Sequence, residues 1–179
     1  MRLALAILCG VAGLAAAAIA VWRFGGTWAV IPFAALAPLS AALAWMDLTS
    51  HRLPNRIVLP GIGASTLGLL AASAGDQALD RFVAALLGGA ALFGLYLALA
   101  LVSRGGMGMG DVKLAAIVGL FGGYLGLTGW MLAAASAFVT GGVAALVLLL
   151  ARRDTRARLP FGPWMLVGLW IAVVLSATR

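Results

Sequence analysis

Apolar residues run along this chain in blocks of nearly constant length, and the polar positions fall between them. Seven blocks can be marked, over residues 3–22, 28–46, 57–74, 82–102, 114–130, 131–151 and 161–177. About 20 mostly apolar residues cross the hydrocarbon core of a bilayer as a helix, with roughly 17–25 as the usual range. A backbone in lipid must satisfy its own polar groups, so each block is predicted as an α-helix. Charged or glycine-rich breaks bound the first four. Residues 114–151 carry no charge over 38 positions, too many for one crossing, and the turn is expected within the glycine-rich stretch Gly119–Gly129. The expected architecture is an all-α transmembrane bundle of six to seven spans. No repeat or linker interrupts it, so a single membrane-embedded domain over residues 1–179 is expected.

Composition agrees with the pattern. The chain is 64% hydrophobic and 9% charged, against about 45–50% and 25% in soluble proteins, and its mean hydropathy is +1.13. One cysteine and one histidine exclude an internal disulfide framework and a Cys/His zinc site. The net charge of +7 then reads as a topology signal, and no nucleic-acid partner is expected. With the N-terminus inside, alternating loops place Arg2, Arg52, Arg56, Arg104, Lys113, Arg152, Arg153, Arg156 and Arg158 on the cytoplasmic side. Only Arg23, Arg81 and Arg179 fall outside. The positive-inside rule therefore predicts a cytoplasmic N-terminus and, for seven spans, an external C-terminus. The first block is longer than a signal-peptide core, running on to Trp22, so a retained helix is favoured over a cleaved signal.

Small residues let membrane helices approach closely, and Gly61, Gly63, Gly88, Gly89, Gly141 and Gly142 are read that way. The six tryptophans, at 22, 28, 45, 130, 164 and 170, fall mostly near span ends and read as an aromatic belt. The basic run Arg152–Arg158 suits contact with anionic lipid.

Acids in such a chain are scarce and mark function by default. There are five aspartates and no glutamate. Asp76 and Asp80 share a short outer loop with Arg81 and read as a solvated turn, while Asp154 tempers the basic run around it. Asp47 and Asp111 remain, both at predicted cytoplasmic helix ends. Two carboxylates held close share a proton and titrate as a pair. One can then act as base on a water while the other donates to a substrate carbonyl. Gly105, Gly106, Gly108 and Gly110 would let backbone approach closely beside Asp111. The plainer reading is a pair of interfacial charges, with Asp111 capping a helix N-terminus.

Two motifs carry these acids. Asp47 is followed by Leu53-Pro54-Asn55, and Gly108-Met109-Gly110-Asp111-Val112-Lys113-Leu114 forms a Gly-x-Gly-Asp-x-Lys-Leu element. With Pro160-Phe161-Gly162-Pro163 before the last span, the chain from about residue 30 onward resembles the prepilin peptidase family of GxGD-type membrane aspartic proteases. The resemblance implies Asp47 and Asp111 as the catalytic pair, with Pro54, Asn55, Gly108, Gly110 and Lys113 as supporting motif residues. It implies a bacterial inner-membrane enzyme that cleaves the basic leader of type IV prepilins or pseudopilins at the cytoplasmic face. Larger relatives also methylate the product with S-adenosylmethionine and carry a cysteine-tetrad domain between their first helices. The loop here is short, which resembles the form associated with tight-adherence (Flp) pili. No cofactor is therefore expected, and methyl transfer is in doubt.

Other chemistry competes with this reading. His51, four residues after Asp47, reads as a polar loop residue, because a metal site would have to enlist both aspartates. Arg52, Arg56, Arg104 and Lys113 ring the site as membrane-surface charges, and Lys113 can alternatively orient Asp111. The glycine-rich loop Arg104–Lys113 offers a second function, a cradle for a phosphorylated lipid or acyl donor, although Asp111 would repel phosphate. A proton-coupled carrier is disfavoured because both acids lie at the edge of the membrane rather than at its midplane. Prepilin substrate and membrane lipid are the partners expected; the sequence does not set the oligomeric state.

Overall fold

A computed structural model of the protein describes residues 2–51, 53–103, 108–152 and 160–176. Among these residues there are seven helices and no strand: α1 (Arg2–Phe24), α2 (Val30–Ser50), α3 (Asn55–Gly75), α4 (Leu79–Val102), α5 (Met109–Tyr124), α6 (Gly126–Arg152) and α7 (Gly162–Leu175). Five of them, α1 to α4 and α6, are long and apolar enough to cross a membrane. The chain is a multi-pass helical membrane protein. Arg52, Arg104, Gly105, Gly106, Arg153, Asp154, Arg156, Arg158 and Arg179, all given roles from sequence, lie outside the described residues.

Two boundaries differ from expectation. The fifth helix ends at Tyr124 and the sixth starts at Gly126, not at residue 131. The turn lies within the predicted glycine-rich stretch, where Gly126 takes φ +85°, a left-handed backbone that a side chain disfavours. Helix α2 continues past Asp47 to Ser50, so this acid sits inside a helix rather than at its end. Hydroxyls of Thr49 and Ser50 donate back to the carbonyls of Trp45 and Met46, each at 2.7 Å, and accompany the extra turn. The helix stops at His51, whose φ of 50° is left-handed.

Helix α5 is the centre of the bundle. It has only 16 residues, and most of it from Val112 to Tyr124 is buried, as expected of a helix that is apolar all round. It runs antiparallel to α4 at very short range. A Cβ on Gly88 would lie 2.6 Å from the Gly119 carbonyl oxygen, and one on Gly123 would meet the backbone of Ala84 and Ala85. Gly89 fits the same reading against Leu120, Gly61 more loosely against Leu39, and Gly141 against the Phe161 ring. Gly63 and Gly142 do not: nothing lies within 4 Å of a Cβ built on either, so no close approach requires them.

Two tryptophans also depart from the belt. The Trp130 indole N–H donates to the Gly88 carbonyl at 2.9 Å and braces the α4–α5–α6 contact. Trp170 donates to Ser40 Oγ at 3.3 Å between α7 and α2. A half-buried indole still favours an acceptor for its N–H, and in these two places the bundle supplies it.

At the end of the bundle holding the α3–α4 turn, the backbone N–H of Trp28 donates to Asp76 Oδ1 at 2.9 Å. Asp76 is thus more than a solvated turn residue, since it takes a hydrogen bond from backbone just before α2. Asp80, in the first turn of α4, is exposed as expected. The end of α2 and the starts of α3, α5 and α7 gather at the opposite end, where the motifs meet.

Candidate active site

Asp47 and Asp111 come from helices far apart in the chain and line one cavity of about 460 Å³, together with His51, Leu53, Pro54, Asn55, Gly108, Met109 and Gly110. Asp47 is 5% exposed. Its Oδ2 accepts a 3.0 Å hydrogen bond from the backbone N–H of Gly162, the first residue of α7. A Cβ on Gly162 would stand 2.7 Å from that same oxygen. The Pro160–Pro163 segment thereby closes over the acid, and only a glycine fits at the contact.

Asp111 lies in the first turn of α5, ahead of the apolar run that starts at Leu114. It does not cap the helix; Gly108 holds the cap position in extended backbone. The Gly108 N–H instead bonds to the Asp111 carboxylate, while the Asp111 N–H donates to the Gly108 carbonyl at 3.1 Å. Burial first, and the Asp47 charge second, push the Asp111 carboxyl up to about 6, and the Gly108 N–H pulls it the other way. The two acids therefore feel each other.

The remaining motif residues build the frame. Leu53 is buried, and a Cβ on Gly110 would fall 2.9 Å from Leu53 Cβ, so this glycine permits the approach of α5 to the 53–55 segment. Gly108 meets no such crowding: Asp111 Oδ2, at 3.6 Å, is the nearest atom to a Cβ there. Pro54 caps α3, and its carbonyl receives the N–H groups of Ile57 and Val58. Asn55 Oδ1 accepts from Lys113 Nζ at 2.7 Å. Lys113 is thus bonded to the other motif. Arg56 is exposed on the first turn of α3.

His51 lines the cavity, and its N–H donates to the Asp47 carbonyl at 2.9 Å. No cluster of three or more His, Cys, Asp or Glu side chains able to hold a metal occurs among the described residues. Nothing in the sequence marked Gly162 beyond its place in Pro160–Pro163, because its contribution is a backbone N–H.

Residues 34–146 match the Type IV leader peptidase family. The chain is 33% identical over 157 residues to a prepilin leader peptidase/N-methyltransferase of Pseudomonas putida, covering 86% of this chain and 52% of that protein. A protein of the same name from Bacillus subtilis (strain 168) is 35% identical over 149 residues, covering 82% and 56%. A third, from Pseudomonas aeruginosa, is 31% identical over 158 residues, covering 86% and 52%. The chain spans about half the length of the curated relatives it matches. No solved structure matches it.

Proposed function

The chain belongs to the Type IV leader peptidase family, and from that premise we propose that it is an aspartic endopeptidase whose catalytic pair is Asp47 and Asp111. The observation that carries the reading is the meeting of these two acids, 64 positions apart in the chain, on one cavity. Asp111, which keeps its proton up to about pH 6, is the acid. Asp47, with Oδ2 held by Gly162, is the base. Asp47 takes a proton from water as the water oxygen bonds to the substrate carbonyl carbon, and Asp111 gives its proton to the carbonyl oxygen. Collapse of the resulting diol breaks the C–N bond: the proton held by Asp47 passes to the departing nitrogen, and one diol hydroxyl returns its proton to Asp111 as the carbonyl re-forms, restoring the starting pair.

The substrate in this reading is a type IV prepilin or pseudopilin with a basic leader, as its likeness to prepilin leader peptidases suggests. The scissile bond is presented at the cytoplasmic face of the inner membrane, the side to which the basic residues assign the site. Lipid surrounds the apolar outer helices. Service to a tight-adherence (Flp) pilus belongs to the same reading. Methyl transfer from S-adenosylmethionine is left out of it, so a product with a free N-terminal amine is expected by mass spectrometry.

The test is cleavage of a full-length type IV prepilin by the purified chain. Asp47→Asn and Asp111→Asn should each reduce the rate by about 1,000-fold or more, as loss of one member of a cooperating pair does. Mature pilin formed at an undiminished rate by either variant defeats the proposal.

A further inference from the structure

Tyr96 is a polar side chain sealed inside the bundle without an evident structural task. It is fully buried, and its hydroxyl has no hydrogen-bond partner among the described residues. Its ring packs against Phe138 and Phe161, with centroids 5.7 and 6.2 Å away. Phe161 directly precedes Gly162, whose N–H holds Asp47. Phenylalanine would satisfy the same aromatic contacts without burying an unpaired hydroxyl, which destabilises a folded chain. The hydroxyl therefore needs an explanation that packing does not provide.

The register between α4 and α5 supplies one. Gly88 lies against Gly119, and Ala84 and Ala85 lie against Gly123, so the two helices run antiparallel with a fixed offset. Eight residues along each helix from the Gly88–Gly119 contact, toward the site, stand Tyr96 and Asp111. Both belong to stripes of every fourth residue, Gly88-Leu92-Tyr96 on α4 and Asp111-Ala115-Gly119 on α5, and such stripes keep one face of a helix. The two groups interact electrostatically. On its other sides Tyr96 meets the rings of Phe138 and Phe161, which accept no conventional hydrogen bond.

We propose that Tyr96 is a positioning residue of the aspartate pair, its hydroxyl donating to the Asp111 carboxylate when substrate fills the cavity. The proposal rests on the peptidase reading above. The Gly108 N–H bonds to the Asp111 carboxylate; the Tyr96 hydroxyl adds a second donor from the α4 side and fixes the direction from which Asp111 addresses the substrate carbonyl. The other groups around Asp111 are Asp47 and His51 from α2, Asn55 at the start of α3, and Lys113 on α5 itself, bonded to Asn55. Gly162 of α7 brings only its N–H, already bonded to Asp47. The part of α6 before Arg152 has no titratable side chain. Arg52 and Arg104 lie outside the described residues. A donor to the charged carboxylate favours ionisation, so removing the hydroxyl must raise the pH at which Asp111 releases its proton.

Tyr96→Phe in the full-length chain, assayed with a full-length type IV prepilin, tests this. The expected result is a kcat lower by about 10- to 100-fold, the value of a hydrogen bond to a charged group, with KM within about twofold. The alkaline limb of the pH profile moves to higher pH, and thermal stability is unchanged or higher. Infrared titration of the Asp111 carboxyl band in the same variant, with the cavity filled by a type IV prepilin whose scissile peptide is replaced by an uncleavable isostere, reads the shift without turnover and stands even if the rate falls for another reason. A wild-type kcat overturns the proposal, and so does a carboxyl titration that has not moved. Asp111→Asn run in parallel separates the two readings. If Asp111→Asn is inert while Tyr96→Phe behaves as wild type, only the role of Tyr96 fails; if Asp111→Asn still cleaves, the peptidase reading fails.

Discussion

The Gly162 backbone N–H donates to Asp47 Oδ2 at 3.0 Å, while a Cβ at residue 162 would stand 2.7 Å from that oxygen and 3.3 Å from Leu114 Cδ2. A methyl group there must push either α7 or the carboxylate aside. Misplacing a reacting group by about 1 Å costs on the order of 100-fold in rate. Gly162→Ala is therefore expected to lower prepilin cleavage by about 10- to 100-fold while the chain still folds in detergent. Gly142→Ala, with nothing within 4 Å of its Cβ, is the matched control and should cleave at the wild-type rate. Equal rates for the two variants would remove Gly162 from the frame of the site.

The α4–α5 contact sets a different expectation, for stability. A Cβ on Gly119 would run into the Gly88 carbonyl, and one on Gly88 would lie 2.6 Å from the Gly119 carbonyl oxygen. These are backbone atoms and cannot turn away as a side chain can. Overpacking of this kind costs about 1–3 kcal/mol. Gly88→Ala and Gly119→Ala should lower the thermal midpoint in detergent, whereas Gly63→Ala and Gly94→Ala, at open positions, should not. Indistinguishable midpoints across the four variants would mean that α4 and α5 are farther apart than described.

How much of this could be read from the residues follows from what each contact depends on. Helices α1 to α4 were legible because charge and glycine breaks bound apolar runs of membrane length. The break at Leu125–Gly126 was legible only as a region, Gly119–Gly129, since residues 114–151 carry no charge and several glycines compete for the turn. Asp47 and Asp111 stood out through scarcity, and the structure brings both to one cavity. Asn55 and Lys113 were visible as motif members but not as partners, because 58 positions separate them. Gly162 and Tyr96 were invisible for a deeper reason. One acts through backbone, and the other lies level with Asp111 only because glycine contacts fix the register of two helices.

Asp111 gives a pH dependence whose sign can be worked out. Its carboxyl is pushed from the ordinary 3.8 to about 6, by burial first and by Asp47 second. Between those values the folded chain holds a proton that the unfolded chain has released, so the stability due to this group falls as pH rises through that window. The singly protonated pair is lost as pH rises through about 6. Thus kcat/KM should fall on its alkaline side with an apparent value near 6, belonging to the pair rather than to one acid. Rates collected between roughly pH 4 and 8 check it. In the Asp47→Asn chain the like charge is gone, so Asp111 should titrate lower by carboxyl infrared absorption. An unmoved band would mean that the two acids are electrostatically independent.

The Lys113–Asn55 hydrogen bond ties the start of α3 to the first turn of α5 at 2.7 Å. It is exposed, so its contribution to stability should be small, about 0.5–1.5 kcal/mol. Its effect on the site should be larger, because the same turn carries Asp111 and the segment before Asn55 carries Leu53, which packs against Gly110. Lys113→Met and Asn55→Leu should each lower kcat several-fold. The double variant should be no worse than the poorer single one, since once either partner is gone the bond is gone. A coupling energy of about 0.5–3 kcal/mol in the double-mutant cycle would express that. Asn55→Asp keeps an acceptor oxygen for the ammonium and should stay near the wild-type rate. Strictly additive losses, or an Asn55→Asp chain as impaired as Asn55→Leu, would show that the two residues act separately and that the clamp does not set the geometry of the pair.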